Sequence, residues 1–185
     1  WDKAEVFRPA SDADPKLRKT RKPYSIVMPP PNATGILHVG HALMIALEDP
    51  LIRYHRMKGF DTLFLPGTDH AAIATASVVD RLLLEEKIDK QQLGRAKFAA
   101  RAKKLALENK QTIENQIKAL GASVDWSRNA FTMDEAREDA VQTAFHRLYK
   151  KGLIYRGDYM VNWCPVCRTV LADDEVEHQE QEGVL

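Results

Sequence analysis

Tyr24-Ser-Ile-Val-Met-Pro-Pro-Pro-Asn-Ala-Thr-Gly-Ile-Leu-His-Val-Gly-His41 is the stretch on which the fold turns. Its first five residues are a short β-rich apolar run. Three prolines then stop it, because proline cannot continue a central hydrogen-bonded ladder. A buried strand is therefore expected to end at Met28 and to feed a rigid loop. From about His41 a helical pattern follows: Leu43, Ile45, Leu47, Leu51, Ile52, Tyr54 and Met57. Gly59 suits its end, and Pro50 inside it is expected to kink or split it. Thr62-Leu-Phe-Leu65 reads as a second buried strand, closed by Pro66-Gly67. Strand, helix and strand in this spacing form a βαβ unit with a parallel sheet. In such sheets ligands bind beyond the carboxyl ends of the strands. The loops Pro29–His41 and Pro66–His70 both leave such ends, so they are expected to face one crevice.

The flanking sequence is more ordinary. Residues 1–22 are polar, with a basic run at Lys16, Arg18, Lys19, Arg21 and Lys22, and read as a surface-lying lead-in. About Ile73 to Leu120 reads as helical, with Val78, Val79, Leu82 and Leu83 on one apolar face and Phe98, Leu105, Ile113, Ile117 and Leu120 on another. Gly121 is a candidate helix end. Thr132-Met-Asp-Glu135 has the form of a capping box opening a helix that carries Val141, Phe145, Leu148 and Tyr149 and ends at Gly152. Leu153–Tyr155 and Tyr159–Trp163 are predicted as strands around a turn at Arg156-Gly157-Asp158, and the acidic tail Asp173–Gly183 as an edge strand. The chain has 185 residues, 44% of them hydrophobic, with 27 Lys plus Arg against 26 Asp plus Glu. That is enough apolar material for a core, and a net charge of +1 creates no whole-chain field for nucleic acid or a membrane. Two cysteines, Cys164 and Cys167, argue against a disulfide scaffold. No apolar run reaches membrane-spanning length. A soluble cytoplasmic protein, or a segment of one, is the expectation.

The strongest chemical signal is the loop Pro29–His41. It leads into a helix N-terminus, where unpaired N–H groups and the helix dipole favour an anion such as phosphate. Gly40 permits close approach of a planar group or backbone. His38 and His41 are three residues apart, so both can reach one ligand and donate to phosphate oxygens. Turn glycines with packed, capping histidines are the bland alternative, and zinc at His38-x-x-His41 a second one that lacks a third ligand. Cys164-Pro-Val-Cys167 is half of a zinc-ribbon spacing; a structural pair of thiols is the preferred reading, and no metal site is assigned.

His38-Val-Gly-His41 resembles the His-Ile-Gly-His motif of the class I aminoacyl-tRNA synthetases. The leader Pro29-Pro-Pro-Asn-Ala-Thr-Gly35 and the second loop Pro66-Gly-Thr-Asp-His-Ala71 with Ile73-Ala-Thr75 resemble the valine-specific branch. Arg53–Gly59, Ser123–Trp126, Phe131–Asp134, Leu153–Gly157 and Asn162–Pro165 extend the likeness over about Tyr24 to Glu177. Ala72 departs from the family's usual glycine, Ala76 from its usual glutamine, and Pro50 is a further departure.

The resemblance implies an α/β fold: the first half of a Rossmann-like parallel sheet with a helical insertion. It implies a lead-in at 1–22, the amino-terminal half of the catalytic domain at 23–178, and at 179–185 the start of a connection to an editing domain. The remaining half of the catalytic domain becomes a partner. The implied reaction is ATP-dependent activation of valine to valyl-adenylate, with Mg²⁺ on the triphosphate, and transfer to tRNA. His38 and His41 would be catalytic. Thr34, Gly35, His38, Gly40 and His41 would hold ATP; Pro29, Pro30, Asn32, Asp69 and His70 would bind valine. The family's second ATP motif, Lys-Met-Ser-Lys-Ser, does not occur in these residues. The alternative is therefore a non-catalytic synthetase-derived module that binds nucleotide, RNA or protein.

Overall fold

The computed structural model describes residues 1–166 and 168–180; Cys167 and residues 181–185 lie outside it. The chain divides into two compact units, Trp1–Val141 and Gln142–Leu185.

In the first unit the core is the predicted βαβ element. β1 (Pro23–Val27) and β2 (Asp61–Leu65) pair in parallel, with Tyr24 opposite Thr62 and Ile26 opposite Phe64. These alternate residues face the core, as the two-residue period of a strand requires. The crossover helix α3 (Val39–Met57) begins two residues earlier than the apolar pattern indicated, and it is neither split nor interrupted at Pro50. Pro50 and Ala46, whose carbonyl loses its usual donor, are both exposed, so water can take the vacant bond. Gly59 follows with φ +81°, a conformation that glycine adopts without a Cβ clash.

A long helix, α6 (Arg95–Ala119), packs onto the same face of the sheet as α3. Met28, Ile45, Ile52, Phe64, Ile113, Ile117 and Val124 form the buried cluster. Two short helices, α4 (Ala72–Glu85) and α5 (Lys90–Leu93), precede it. The α4 face buries Val79 and Leu83 as expected, but Thr75 takes the third buried position. On α6, Ile113 and Ile117 are buried, whereas Leu120 is exposed. Asp49 ties α3 to the segment after α6, accepting from the Ser123 backbone N–H at 2.7 Å and from the Arg53 Nε at 2.6 Å.

The lead-in is more anchored than a surface tail. It holds two one-turn helices, α1 (Ala10–Ala13) and α2 (Leu17–Thr20). Ser11 is buried and donates its backbone N–H to Asp61 at 3.0 Å. Arg56 lies 5.2 Å from the ring centre of Phe7, a cation–π contact.

Two further strands, β3 (Gly67–Thr68) and β4 (Ala130–Phe131), pair in parallel. The helix α7 (Glu135–Lys150) starts two residues later than the Thr132–Glu135 capping box indicated, and Thr132 does not cap it. Asp134 takes that role, accepting from the Arg137 N–H at 3.0 Å and the Phe131 N–H at 3.1 Å. A carboxylate two residues closer to the helix meets its free N–H groups directly, which releases Thr132.

In the second unit the hairpin lies further along than predicted. β5 (Asn162–Cys164) and β6 (Thr169–Leu171) are antiparallel, with Trp163 opposite Val170. Leu153–Tyr155 is not a strand. No strand lies opposite that apolar run, whereas Asn162–Cys164 finds a partner across a turn closed by the Arg168 N–H on the Cys164 carbonyl at 2.8 Å. The described part of the acidic segment, residues 173–180, is not an edge strand, and 181–183 lie outside the described residues: Asp173–Glu175 is a 3₁₀ turn, in which Glu175 accepts from the Ala172 N–H at 2.9 Å. Among the described residues no helix is long and apolar enough to cross a membrane.

Candidate active site

The two loops at the carboxyl ends of β1 and β2 are zipped together by backbone. The Asp69 N–H donates to the Pro31 carbonyl at 2.9 Å, and the Ala33 N–H to the Asp69 carbonyl at 2.7 Å. Asn32 and Asp69 are thereby set side by side as a parallel bridge. Helix α6 holds the same loop from below: Asn109 donates to the Ala33 carbonyl at 3.0 Å, and Gln116 accepts from the Leu37 N–H at 2.9 Å. Sequence reading missed both residues. Each lies in a polar run of α6, Glu108–Thr112 or Glu114–Gln116, which by pattern alone looks like a solvated face.

Asp69 is not the N-cap of α4. Its Oδ1 accepts the Ala71 N–H at 3.0 Å and the Thr132 hydroxyl at 2.9 Å. Those bonds leave Oδ2 available to a ligand. The hydrogen bond from Ala71 holds the Asp69 carboxyl below the ordinary carboxylate range; burial opposes this, and Thr132 and the nearby His70 add to it. Thr132 also accepts the His70 N–H at 2.8 Å and meets His70 Nδ1. It is the hub of the cluster, and its capping-box context disguised it. Ala71, the N-cap of α4, sits at φ +45°, a left-handed conformation that a Cβ disfavours. The Asp69 carboxylate on its N–H and the Thr75 N–H on its carbonyl, at 2.8 Å, hold it there.

Beside this cluster lies an apolar recess of about 160 Å³, lined by Met28, Pro30, Leu65, Thr68, Phe131 and Thr132. Thr132 is shared between the recess and the carboxylate. Pro30 is on its wall; Pro29 and Asn32 are exposed on the loop.

His38 and His41 form a second cluster at the start of α3, ring centres 3.9 Å apart. They cap the helix reciprocally. His38 Nδ1 accepts the Gly40 N–H at 3.1 Å, and His41 Nδ1 accepts the His38 N–H at 3.3 Å. An Nδ1 that accepts must be unprotonated. The proton of each neutral ring is then on Nε2, free to donate outward. Burial and then the neighbouring His38 lower the His41 pKa, which favours the neutral ring. The group that approaches Gly40 is the chain's own His38 ring: a Cβ at Gly40 would lie 2.9 Å from His38 Cε1. The capping reading of these histidines is the one this geometry shows. Thr34 and Gly35 are half-buried in the loop before them.

The profile of the family described as tRNA synthetases class I (I, L, M and V) matches residues 1–183. The chain belongs to this family. It is 51% identical over its whole length to a valine–tRNA ligase of Desulfotalea psychrophila, and 56% identical over 94% of its length to that of Thermus thermophilus. The chain spans about a fifth of each relative (20% in both cases). It also resembles, with a TM-score of 0.71 and 24% identity, the LeuRS chain of the Agrobacterium radiobacter K84 agnB2 LeuRS-tRNA-LeuAMS ternary complex, covering 96% of this chain and 20% of that one. The α/β fold is thus that of a class I synthetase. The family's departures Ala72 and Ala76 line one groove with His70. Cys164 ends β5, whereas Cys167 lies outside the described residues.

Proposed function

We propose that this chain is the part of a valine–tRNA ligase that activates valine with ATP for transfer to tRNA. One observation carries the reading. A carboxylate with one oxygen saturated by Ala71 and Thr132 and the other open stands against an apolar recess through the shared Thr132. An ammonium on the open oxygen and an aliphatic side chain in the recess describe a small apolar amino acid.

Asp69, ionised, anchors the ammonium; Pro29, Pro30, Asn32 and His70 shape the pocket around it. The amino acid's carboxylate attacks the α-phosphorus of ATP. An O–P bond forms to give the acyl-adenylate, and the bond to the β-phosphate bridging oxygen breaks, releasing pyrophosphate. The nucleophile is already an anion, so no general base is needed. Rate comes from positioning and from charge stabilisation. His38 and His41, with Nε2–H outward at a helix N-terminus, donate to the phosphates; Gly40, Thr34 and Gly35 accommodate the nucleotide. Mg²⁺ on the triphosphate would neutralise charge at the leaving oxygens. Among the described residues no three His, Cys, Asp or Glu side chains gather as a metal cluster, so the ion would arrive with ATP rather than on protein ligands. The cytoplasm, where translation enzymes work, is the compartment we assign.

The test is valine-dependent ATP–pyrophosphate exchange by the full-length protein that carries this chain, with isoleucine and threonine as comparators. Exchange that prefers valine and is lost in His41→Ala is expected. Preference for isoleucine, or exchange indifferent to His41, would overturn the assignment.

A further inference from the structure

Between the bridge at Asn32 and the start of α3, the backbone of residues 33–38 forms neither helix nor strand. One end of this loop lies beside the carboxylate assigned to valine, through the Ala33 N–H on the Asp69 carbonyl at 2.7 Å. The other end, Leu37, leads directly into His38, the N-cap of α3 and part of the cluster assigned to ATP. A loop without a ladder of its own cannot fix either end to the tolerance that catalysis needs, where a shift of about 1 Å can cost about a hundredfold in rate. Helix α6 supplies a fixed reference for both ends.

Asn109 and Gln116 are seven residues apart, so they share one face of α6 and lie about 10 Å apart along its axis. Ile113 stands between them on that face and is wholly buried, as is Ile117 just beyond. Glu114, also buried, accepts from Asn129 at 2.6 Å and pairs with Lys110 at 2.5 Å. These contacts lock α6 against sliding or turning. The two carboxamides then meet the loop with opposite polarity. The Ala33 carbonyl can only accept, so Asn109 presents its NH₂; the Leu37 N–H can only donate, so Gln116 presents its oxygen. The Leu37 side chain packs on the buried cluster. Loss of the Gln116 bond therefore turns the peptide ahead of His38 without releasing the loop.

We infer that Asn109 and Gln116 are positioning residues that set the two ends of this loop separately, Asn109 the valine end beside Asp69 and Gln116 the ATP end at His38. The inference rests on the valine–tRNA ligase reading, which assigns the two substrates to these ends.

The experiment uses the full-length protein. ATP–pyrophosphate exchange is measured with valine and ATP varied separately, and amide hydrogen exchange is followed over residues 33–38. Gln116→Met keeps the length and removes the acceptor. It is expected to raise the KM for ATP about three- to tenfold, as for one lost hydrogen bond, and to leave the KM for valine unchanged. Asn109→Leu removes the donor and is expected to do the reverse. The matching acids separate polarity from shape. Gln116→Glu retains an accepting oxygen and is expected to restore the KM for ATP, read in about 0.3 M salt so that the added charge is screened. Asn109→Asp sets an acceptor against a carbonyl and is expected to be no better than Asn109→Leu. Gln111→Met, on the exposed side of the same helix, is expected to change neither KM.

Both KM values rising together in Gln116→Met or in Asn109→Leu would mean a general loosening and overturn the division. So would unchanged KM values in these two variants, or Gln116→Glu as impaired as Gln116→Met. Absence of valine-dependent exchange in the unaltered protein would refute the activation reading instead. The amide protons then decide the loop. Protection at Leu37 lost in Gln116→Met but kept in Gln116→Glu and Asn109→Leu supports two separate holds; protection lost alike in all three overturns them.

Discussion

Removing the Thr132 hydroxyl while keeping its shape is the sharpest perturbation of the site. Thr132→Val deletes the 2.9 Å donor to Asp69 Oδ1 and the 2.8 Å acceptor for the His70 N–H. A hydrogen bond to a charged group contributes about 1.5–3 kcal/mol. Thr132 is exposed and Asp69 half-buried, so water can replace part of it, and the lower end, about 1.5 kcal/mol, applies. That corresponds to an increase of about tenfold in the KM for valine. The KM for ATP should hold, because His38 and His41 lie on another element. Thr132→Ser keeps the hydroxyl and should restore the valine KM. The pH profile adds a second readout. Ala71, with Thr132 and His70, keeps the Asp69 pKa below its ordinary value, so valine binding is full at neutral pH and falls only as acid protonates the carboxylate. In Thr132→Val that acid limb should move to higher pH. ATP–pyrophosphate exchange across valine concentration and pH measures all of this. A valine KM unchanged in Thr132→Val, or a serine variant as impaired as the valine one, would refute the role assigned to this hydroxyl.

Gly40→Ala places a Cβ 2.9 Å from His38 Cε1 and 3.0 Å from Nδ1, so the ring must leave its cap. The lost cap costs about 1 kcal/mol, and alanine's helix propensity returns about 1 kcal/mol. Thermal stability should barely change while the KM for ATP rises; an unaltered KM would count against the arrangement. The His41 pKa is lowered by burial and then by His38. Its contribution to stability is therefore complete above the unfolded value of about 6.5 and is lost as pH falls through the lower folded value. Urea denaturation should show that acid-side loss in the parent and a smaller one in His41→Asn, which retains an acceptor without titrating. Pro50→Ala restores the N–H toward the Ala46 carbonyl inside α3; a gain of about 1–3 kcal/mol in unfolding free energy is expected, and a loss would show that the proline is required by packing.

The local pattern of the chain determined much of this protein. Proline after an apolar run ends β1, a 3.6-residue apolar period makes α3, and Gly59 stops it; each depends on neighbours a few residues away. Asp69, His38 and His41 were legible as candidates for the same reason, since they occupy a loop after a strand and the start of a helix. The shorter elements were not. Leu153–Tyr155 has strand composition but no partner, and Asn162–Cys164 became a strand because Thr169–Leu171 lies across the turn. Only tertiary structure decided which side chains serve the site. Thr132 reads as a cap until Asp134 takes the helix N-terminus and frees it for a residue 63 positions away. Asn109 and Gln116 read as solvent-facing until the folded loop brings Ala33 and Leu37 against them, 76 and 79 positions distant in the chain. Sequence spacing specifies local geometry, whereas hydrogen-bond partners at long range are specified only once the core has placed the elements side by side.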